Sequence, residues 1–179
     1  MRRFNFLKHY GQTELYKDYD QPGLDVTAFV RASPGALCVL DFAGITFLGY
    51  SYSNATVAAS IPVAQDVGAR VVVYADCDLD LDELSEALVQ FKRSVTVLDT
   101  PDGAPADGRV VGFLPDHLRD TWTTLADKGE TTTADLATAL GESLQNTNQR
   151  LKKLDDAGLI VRNRVTSPSG GWEWKNNLP

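Results

Sequence analysis

TTTADLATALGESLQNTNQRLKKLDDAGLIVRNRVTSPSGGWEW, residues Thr131 to Trp174, holds two helical periods followed by a β-type alternation. Thr133 is expected to cap the first helix, with Asp135 at its positive end. Leu136, Ala137 and Leu140 then recur at helical spacing, and Gly141 supplies the left-handed residue that ends a helix. Ser143 is expected to cap a second, longer helix. Its apolar positions are Leu144, Leu151 and Leu154, with Ala157 behind, Thr147 in the remaining core slot and Gly158 as the stop. Leu159–Ile160–Val161 starts a strand that Val165 continues after Arg162–Asn163–Arg164. Ser167–Pro168–Ser169–Gly170–Gly171 makes a turn, and Trp172–Glu173–Trp174 returns as the partner strand. One of Trp172 and Trp174 is expected to pack under this hairpin and the other to face out.

Short helix, tight turn, longer helix and two-stranded hairpin, in that order, resemble a winged helix-turn-helix. The run LKKLDDAGLI, Leu151 to Ile160, resembles the end of the recognition helix and the start of the wing in bacterial winged-helix regulators. The resemblance covers about the last third of the chain. It implies double-stranded DNA as a partner, although some winged helices bind proteins instead.

The residues make their own case for DNA. Away from its leucines the long helix presents Gln145, Asn146, Asn148, Gln149, Arg150, Lys152 and Lys153. Amide side chains can read adenine edges in the major groove and arginine can read guanine, while lysines neutralise phosphates. Arg162 and Arg164 sit on the hairpin, where such arms meet the backbone or the minor groove. From Ser143 to Pro179 six Lys/Arg stand against three Asp/Glu, a local +3 in a chain of −7. The alternative is a solvated helix face that serves packing or dimerisation.

The totals set the frame. A chain of 179 residues, 43% hydrophobic and 23% charged, is expected to fold into one or two domains. A pI near 4.7 excludes general coating of nucleic acid, so any DNA contact comes from a local patch. Cys38 and Cys77 lie 39 positions apart in apolar runs with no CxxC or Cys/His cluster, which reads as two buried thiols in a reducing compartment. No apolar stretch follows Met1–Arg2–Arg3 as a signal peptide requires, and none reaches membrane-spanning length. A cytoplasmic protein with no membrane contact is the expectation.

The front of the chain alternates strand and helix. FNFLKHY and TELY, within Phe4 to Tyr16, read as strands joined by a turn. Asp20–Gln21–Pro22 opens a helix with Leu24, Val26, Phe29 and Val30 inward, and Ser33–Pro34–Gly35 ends it. ALCVLDF (36–42), RVVVYA (70–75) and SVTVL (94–98) read as strands, the first two buried on both faces. Between them fall a small-residue helix from Tyr50 to Ala64, which Pro62 should kink or end, and an amphipathic helix from Asp80 to Phe91 with Leu81, Leu84, Leu88 and Phe91 inward. The order implies parallel pairing in an α/β layer. TPDGAPADG, Thr100 to Gly108, reads as a linker, and Arg109 to Phe113 as a short strand opening the second domain. Asp116 to Lys128 is then a helix with Leu118, Trp122 and Leu125 inward. The expected domains are therefore 1–104 and 105–179. Residues 1–110 carry a net −6 and residues 111–179 a net −1, so the front domain faces protein or water rather than phosphate.

The segment GALCVLDFAGITFLGYSYSNATVAA resembles the STAS-like domain of the DUF4325 type, related in fold to anti-anti-sigma factors. A buried strand ending in Asp41–Phe42, then Gly44, Phe47–Leu48 and Ser51 at a helix start carry the likeness, with Tyr10–Gly11 and Leu15 upstream. It covers about residues 8 to 98. It implies a protein partner, among them a kinase-like ATPase, and leaves homodimerisation open. Partner-switching members carry a phosphorylated Ser or Thr in an Asp-Ser-Ser-Gly motif, which falls here on Gly49, Tyr50, Ser51 and Tyr52, so only Ser51 matches. Ser51 is then either a phosphate acceptor at a helix start or a helix cap.

Catalytic and ligand motifs fail on their chemistry. Gly44 to Ser51 has the glycine spacing of a P-loop, but Tyr50 replaces the lysine and the intervening residues are apolar. Asp76 to Glu83 (DCDLDLDE) has acids for calcium, but Leu81 and Ala87 stand where an EF-hand needs glycine and glutamate. His9 and His117 are isolated from other metal-ligating residues. No acid–base or nucleophile constellation stands out, so the expectation is a non-enzyme without cofactor or metal.

Overall fold

The three apolar runs of the front half become adjacent strands of one sheet. In a computed structural model that describes residues 1–76, 79–166 and 172–179, the side chain of Ala106 aside, the chain divides into two units, Met1–Leu114 and Pro115–Pro179. The first runs β1 (Arg2–Asn5), α1 (Phe6–Tyr10), β2 (Glu14–Leu15), α2 (Asp20–Arg31), β3 (Leu37–Asp41), β4 (Phe47–Leu48), α3 (Tyr50–Ser53), a π-helical turn (Asn54–Ala58) and α4 (Ala59–Asp66). It continues with β5 (Arg70–Tyr74), α5 (Asp82–Gln90), β6 (Ser94–Leu98), a 3-10 turn (Pro105–Asp107) and β7 (Arg109–Gly112).

Strand order in the main sheet is β1-β3-β5-β6-β7. The first four are parallel and β7 is antiparallel to β6. Alternation divides the strand side chains between two faces. Cys38, Leu40, Val71, Val73, Val95 and Val97 pack with Val26, Val30, Leu84 and Leu88 from the helices. Val39, Val72, Tyr74 and Leu98 form a smaller cluster. The expectation of strands buried on both faces is met, and Cys38 is a fully buried free thiol. Cys77 lies outside the described residues.

Four expectations for this unit change. FNFLKHY is a strand only to Asn5; there the side-chain oxygen accepts the Lys8 N–H at 2.8 Å, and FLKHY turns helical up to the left-handed Gly11. A local cap outweighs the β-type alternation. Leu24 is 64% exposed although Val26 and Val30 are fully buried. The side of α2 that packs closely is that of Gly23, where an added Cβ would meet the Ala55 carbonyl oxygen at 2.9 Å. Pro62 does not end its helix, which continues to Asp66. Proline has no N–H for the Ala58 carbonyl, and the Arg93 guanidinium donates to that oxygen instead. Phe91 is 43% exposed, beyond the end of α5.

The boundary also moves. Arg109–Gly112 pairs with β6, Val95 opposite Val111 and Val97 opposite Arg109. Thr100 to Gly108 is therefore a loop inside the first unit, and the division falls after Leu114 rather than after residue 104.

The second unit runs α6 (Asp116–Lys128), β8 (Thr131–Thr132), α7 (Thr133–Leu140), α8 (Leu144–Asp156), β9 (Val161–Thr166) and β10 (Trp172–Asn177), with sheet order β8-β10-β9, antiparallel throughout. Leu118, Trp122 and Leu125 of α6 are buried as expected, along with Leu136, Ala137, Leu151, Leu154, Leu159 and Ile160. The cap of α7 is Thr132, one residue before the expected Thr133: its hydroxyl accepts the Asp135 N–H at 3.1 Å and donates to the Asp135 carboxylate at 2.8 Å. Leu159 and Ile160 precede the strand and fill the core. The turn expected at 167–171 lies outside the described residues. Among those described, no helix is long and apolar enough to cross a membrane.

Candidate nucleic-acid interface

Gly141 and Ser143 set the start of α8. Gly141 takes φ 65° and closes α7, and Ser143 accepts the Asn146 N–H at 3.2 Å. Thr147, Leu151 and Leu154 are fully buried, which fixes the helix rotation. With that side inward, Gln145, Gln149 and Lys152, at spacings of four and three, line the opposite side and are exposed. Asn148 flanks them on one side, Asn146 and Lys153 on the other. Leu144, expected in the core, is 58% exposed; one turn before Leu151 its place on the buried side is taken by Thr147.

The hairpin joins this surface through Arg162. Its Nη2 donates to the Asn148 Oδ1 at 2.7 Å and its Nε to the Asn176 Oδ1 at 3.0 Å. Its guanidinium also lies 4.7 Å from the centre of the Trp174 ring. Burial holds the Arg162 pKa below its ordinary value against the pull of Asp155 and Asp156, and the group stays a cation. Arg162 thus fastens the helix to both wing strands rather than reaching outward as an arm. Arg164 is exposed and sits 4.8 Å from the Trp172 ring centre.

Trp172 and Trp174 do not divide between inside and outside. They are two residues apart on one strand and so share a face, 66% and 43% exposed. Pairing of Trp174 with Arg164 and of Asn176 with Arg162 puts the arginines on that same face. The result is a ladder of alternating guanidinium and indole, exposed except at the half-buried Arg162 and contiguous with Asn148.

Arg150 is engaged on the opposite flank. Its Nη2 meets the Glu142 carboxylate at 2.6 Å, the two side chains being 20% and 29% exposed. Among the residues first named for DNA, then, Gln145, Asn146, Gln149, Lys152, Lys153 and Arg164 are displayed outward. Arg150 is held in an ion pair, and Asn148 and Arg162 bind each other. Sequence reasoning missed Glu142 and Asn176. Asn176 is fully buried and donates at 3.3 Å to the Thr131 carbonyl and to the Thr133 hydroxyl; an asparagine in a strand beside exposed tryptophans gives no hint of this.

The other expected sites are placed as follows. Ser51 is the second residue of α3 and is exposed; the cap position is Gly49, so Ser51 does not cap. The Gly44 N–H that a P-loop would offer to phosphate is donated to the Asp76 carboxylate at 2.7 Å, and the Tyr74 hydroxyl donates to Asp76 at 2.8 Å. His9 lies 3.6 Å from Asp25 and against the rings of Phe4 and Tyr10. Among the described residues no group of His, Cys, Asp or Glu is arranged to hold a metal.

Comparison with curated proteins gives no match to this chain. Residues 123–161, from the middle of α6 to the first residue of β9, match the family model for winged helix-turn-helix DNA-binding domains, and the fold of Pro115–Pro179 is that of a winged helix-turn-helix.

Proposed function

We propose that the protein is a cytoplasmic DNA-binding transcriptional regulator, a binding protein rather than an enzyme. Its recognition helix α8 enters the major groove and its wing follows the adjacent backbone. The observation that carries this reading is the Asn148–Arg162–Trp174 link, which makes the amide-bearing helix and the basic wing one continuous surface. Gln145, Asn146 and Gln149 face base edges, and Lys152, Lys153 and Arg164 meet phosphates. The test is binding of the full chain to genomic duplex fragments as a function of salt. Replacing Lys152 and Lys153 together by alanine should lower the salt slope by about 2; an unchanged slope refutes the interface.

The first unit, in this reading, is a STAS-like domain that binds a protein partner, mediates dimerisation or takes in a signal. Its acidic balance and its parallel β/α build support that role. The runner-up is a partner-switching adaptor whose winged helix makes protein contacts only. Ser51 favours it, being exposed in the first turn of a helix and not engaged as its cap. In that case Ser51→Glu abolishes a complex with a kinase-like ATPase, and an unaffected complex removes the switch.

A further inference from the structure

The N-terminal turns of α8 display no side chain that reads guanine and hold those that read adenine and thymine. Its first turn offers Leu144 and Gln145, followed one turn on by Asn148 and Gln149. Base-edge contacts in helix-turn-helix domains come from these N-terminal positions of the recognition helix. Guanine is read by arginine or lysine against O6 and N7. Yet Arg150 is bound by Glu142, Arg162 is bound by Asn148 and Asn176, and Lys152 and Lys153 come more than two turns after the helix start. Asn148 is itself committed to Arg162 and Asn146 donates to the Glu142 carboxylate at 3.4 Å on the flank, which leaves Gln145 and Gln149 as the amides at the centre of the exposed side.

Leu144 adds an apolar element. It is 58% exposed and lines a concavity of about 560 Å³ with Ala134, Gln145, Trp174 and Glu173. The lining holds no cation and one carboxylate, so a phosphate does not fit there. What fits an apolar side chain at the start of a recognition helix, beside a glutamine, is the C5-methyl group of thymine, the one apolar feature of the major groove.

We propose that the winged helix reads A·T base pairs in the major groove, with Leu144 against a thymine methyl and Gln145 bidentate to an adjacent adenine. This rests on the DNA-binding reading above and adds the class of site.

The test is selection of duplexes from a random library by the full-length protein, followed by affinity measurements on a recovered site. Enriched sites should carry A·T pairs at their central positions. Changing the contacted thymine to uracil, which deletes only the methyl, should weaken binding about fourfold, as one buried methyl predicts. Leu144→Ala, a change at an exposed position, should bind the thymine and uracil duplexes equally. Gln145→Ala should lose about tenfold on the selected site and little on unselected DNA. Sites dominated by G·C, or a thymine preference that survives in Leu144→Ala, would overturn this proposal while leaving DNA binding intact. Failure to bind any duplex at low salt would overturn the DNA-binding reading and this proposal with it.

Discussion

Releasing Arg150 by removing Glu142 should tighten DNA binding at some cost in stability. The pair ties the turn between α7 and α8 to the second turn of α8 at 2.6 Å, and the second Glu142 oxygen accepts from Asn146 at 3.4 Å. Glu142 also sits just before the cap of α8, where the helix end is positive. The Glu142→Ala variant loses an ion pair and a dipole contact, each contributing under about 1 kcal/mol at such partly exposed positions. A loss near 1 kcal/mol in total is expected. On DNA the balance reverses. In the wild type the pair is neutral; in the variant one carboxylate is gone and one guanidinium is available to phosphate.

Each phosphate neutralised adds about 0.9 to the steepness of log K against log salt. The Glu142→Ala advantage over wild type should therefore shrink about 3.5-fold between about 50 and about 200 mM salt. Arg150→Ala should do the reverse, exposing the carboxylate and flattening the slope. The double variant, neutral again, should return close to wild type. Fluorescence anisotropy on one duplex at several salt concentrations reads all four. Equal slopes in all four would place Arg150 outside the interface. A double variant flatter than wild type by a full unit would mean that Arg150 leaves Glu142 for phosphate when DNA binds. Either result refutes the claim that Glu142 holds Arg150 out of play.

Thr147→Val should stabilise the protein. The Thr147 hydroxyl is fully buried and unpaired, and an unpaired buried hydroxyl costs about 1–3 kcal/mol; a rise in melting temperature of a few degrees by calorimetry is expected, and a fall would mean the hydroxyl has a partner. Gly112→Ala should cost about 3 kcal/mol, because φ is 95° and the new Cβ would meet the Arg93 carbonyl oxygen at 2.5 Å and Leu88 at 2.7 Å; a urea midpoint equal to wild type would contradict this packing. Asp76 has its pKa held below the ordinary 3.8 by the N–H of Gly44 and the hydroxyl of Tyr74. Its charge therefore stabilises the fold above that value, and the contribution is lost as pH falls through the lower folded value. Asp76→Asn should make the acid limb of a stability–pH curve less steep below about pH 4, and an identical limb would deny the linkage.

Periodicity made most of the fold legible. The spacing of Leu118, Trp122 and Leu125, or of Leu84 and Leu88, is enough to orient a helix, and continuous runs such as LCVLD announce buried strands. Where the reading failed, a single local or distant contact overrode a short pattern. Asn5 and Gly11 cap five residues that alternate like a strand. Arg109–Gly112 has too few apolar residues to declare its owner, and only its pairing with the edge of β6, across the loop from Thr100 to Gly108, assigns it to the first unit. Pro62 reads as a helix kink or end, and of the two the end does not occur; nothing in the sequence tells that Arg93, thirty-one residues later, will satisfy the Ala58 carbonyl. The tryptophan pair is different: two residues apart on one strand always means one face, so that expectation was wrong on its own terms.

For the candidate interface, residue type was legible and engagement was not. A helical wheel separates Gln145, Gln149 and Lys152 from Leu151 and Leu154 without any coordinates. It cannot say that Arg150 is spent on Glu142, because Glu142 lies outside α8, before its Ser143 cap, and eight residues from Arg150, beyond the regular three- and four-residue spacing of helical ion pairs. Nor can it say that Arg162 reaches Asn148, which depends on the register of the hairpin. Both corrections act in the same direction. They remove Arg150 and Arg162 from the displayed set and leave Arg164 on the wing and amides, lysines and one leucine on the helix, so the helix is less a generic cationic surface than the local charge balance suggests. A protein of net charge −7 has little long-range attraction for DNA to spare. Discrimination between sites must then come from short-range contacts at the start of α8, which is why deleting one thymine methyl is a sharper probe of this molecule than changing its overall charge.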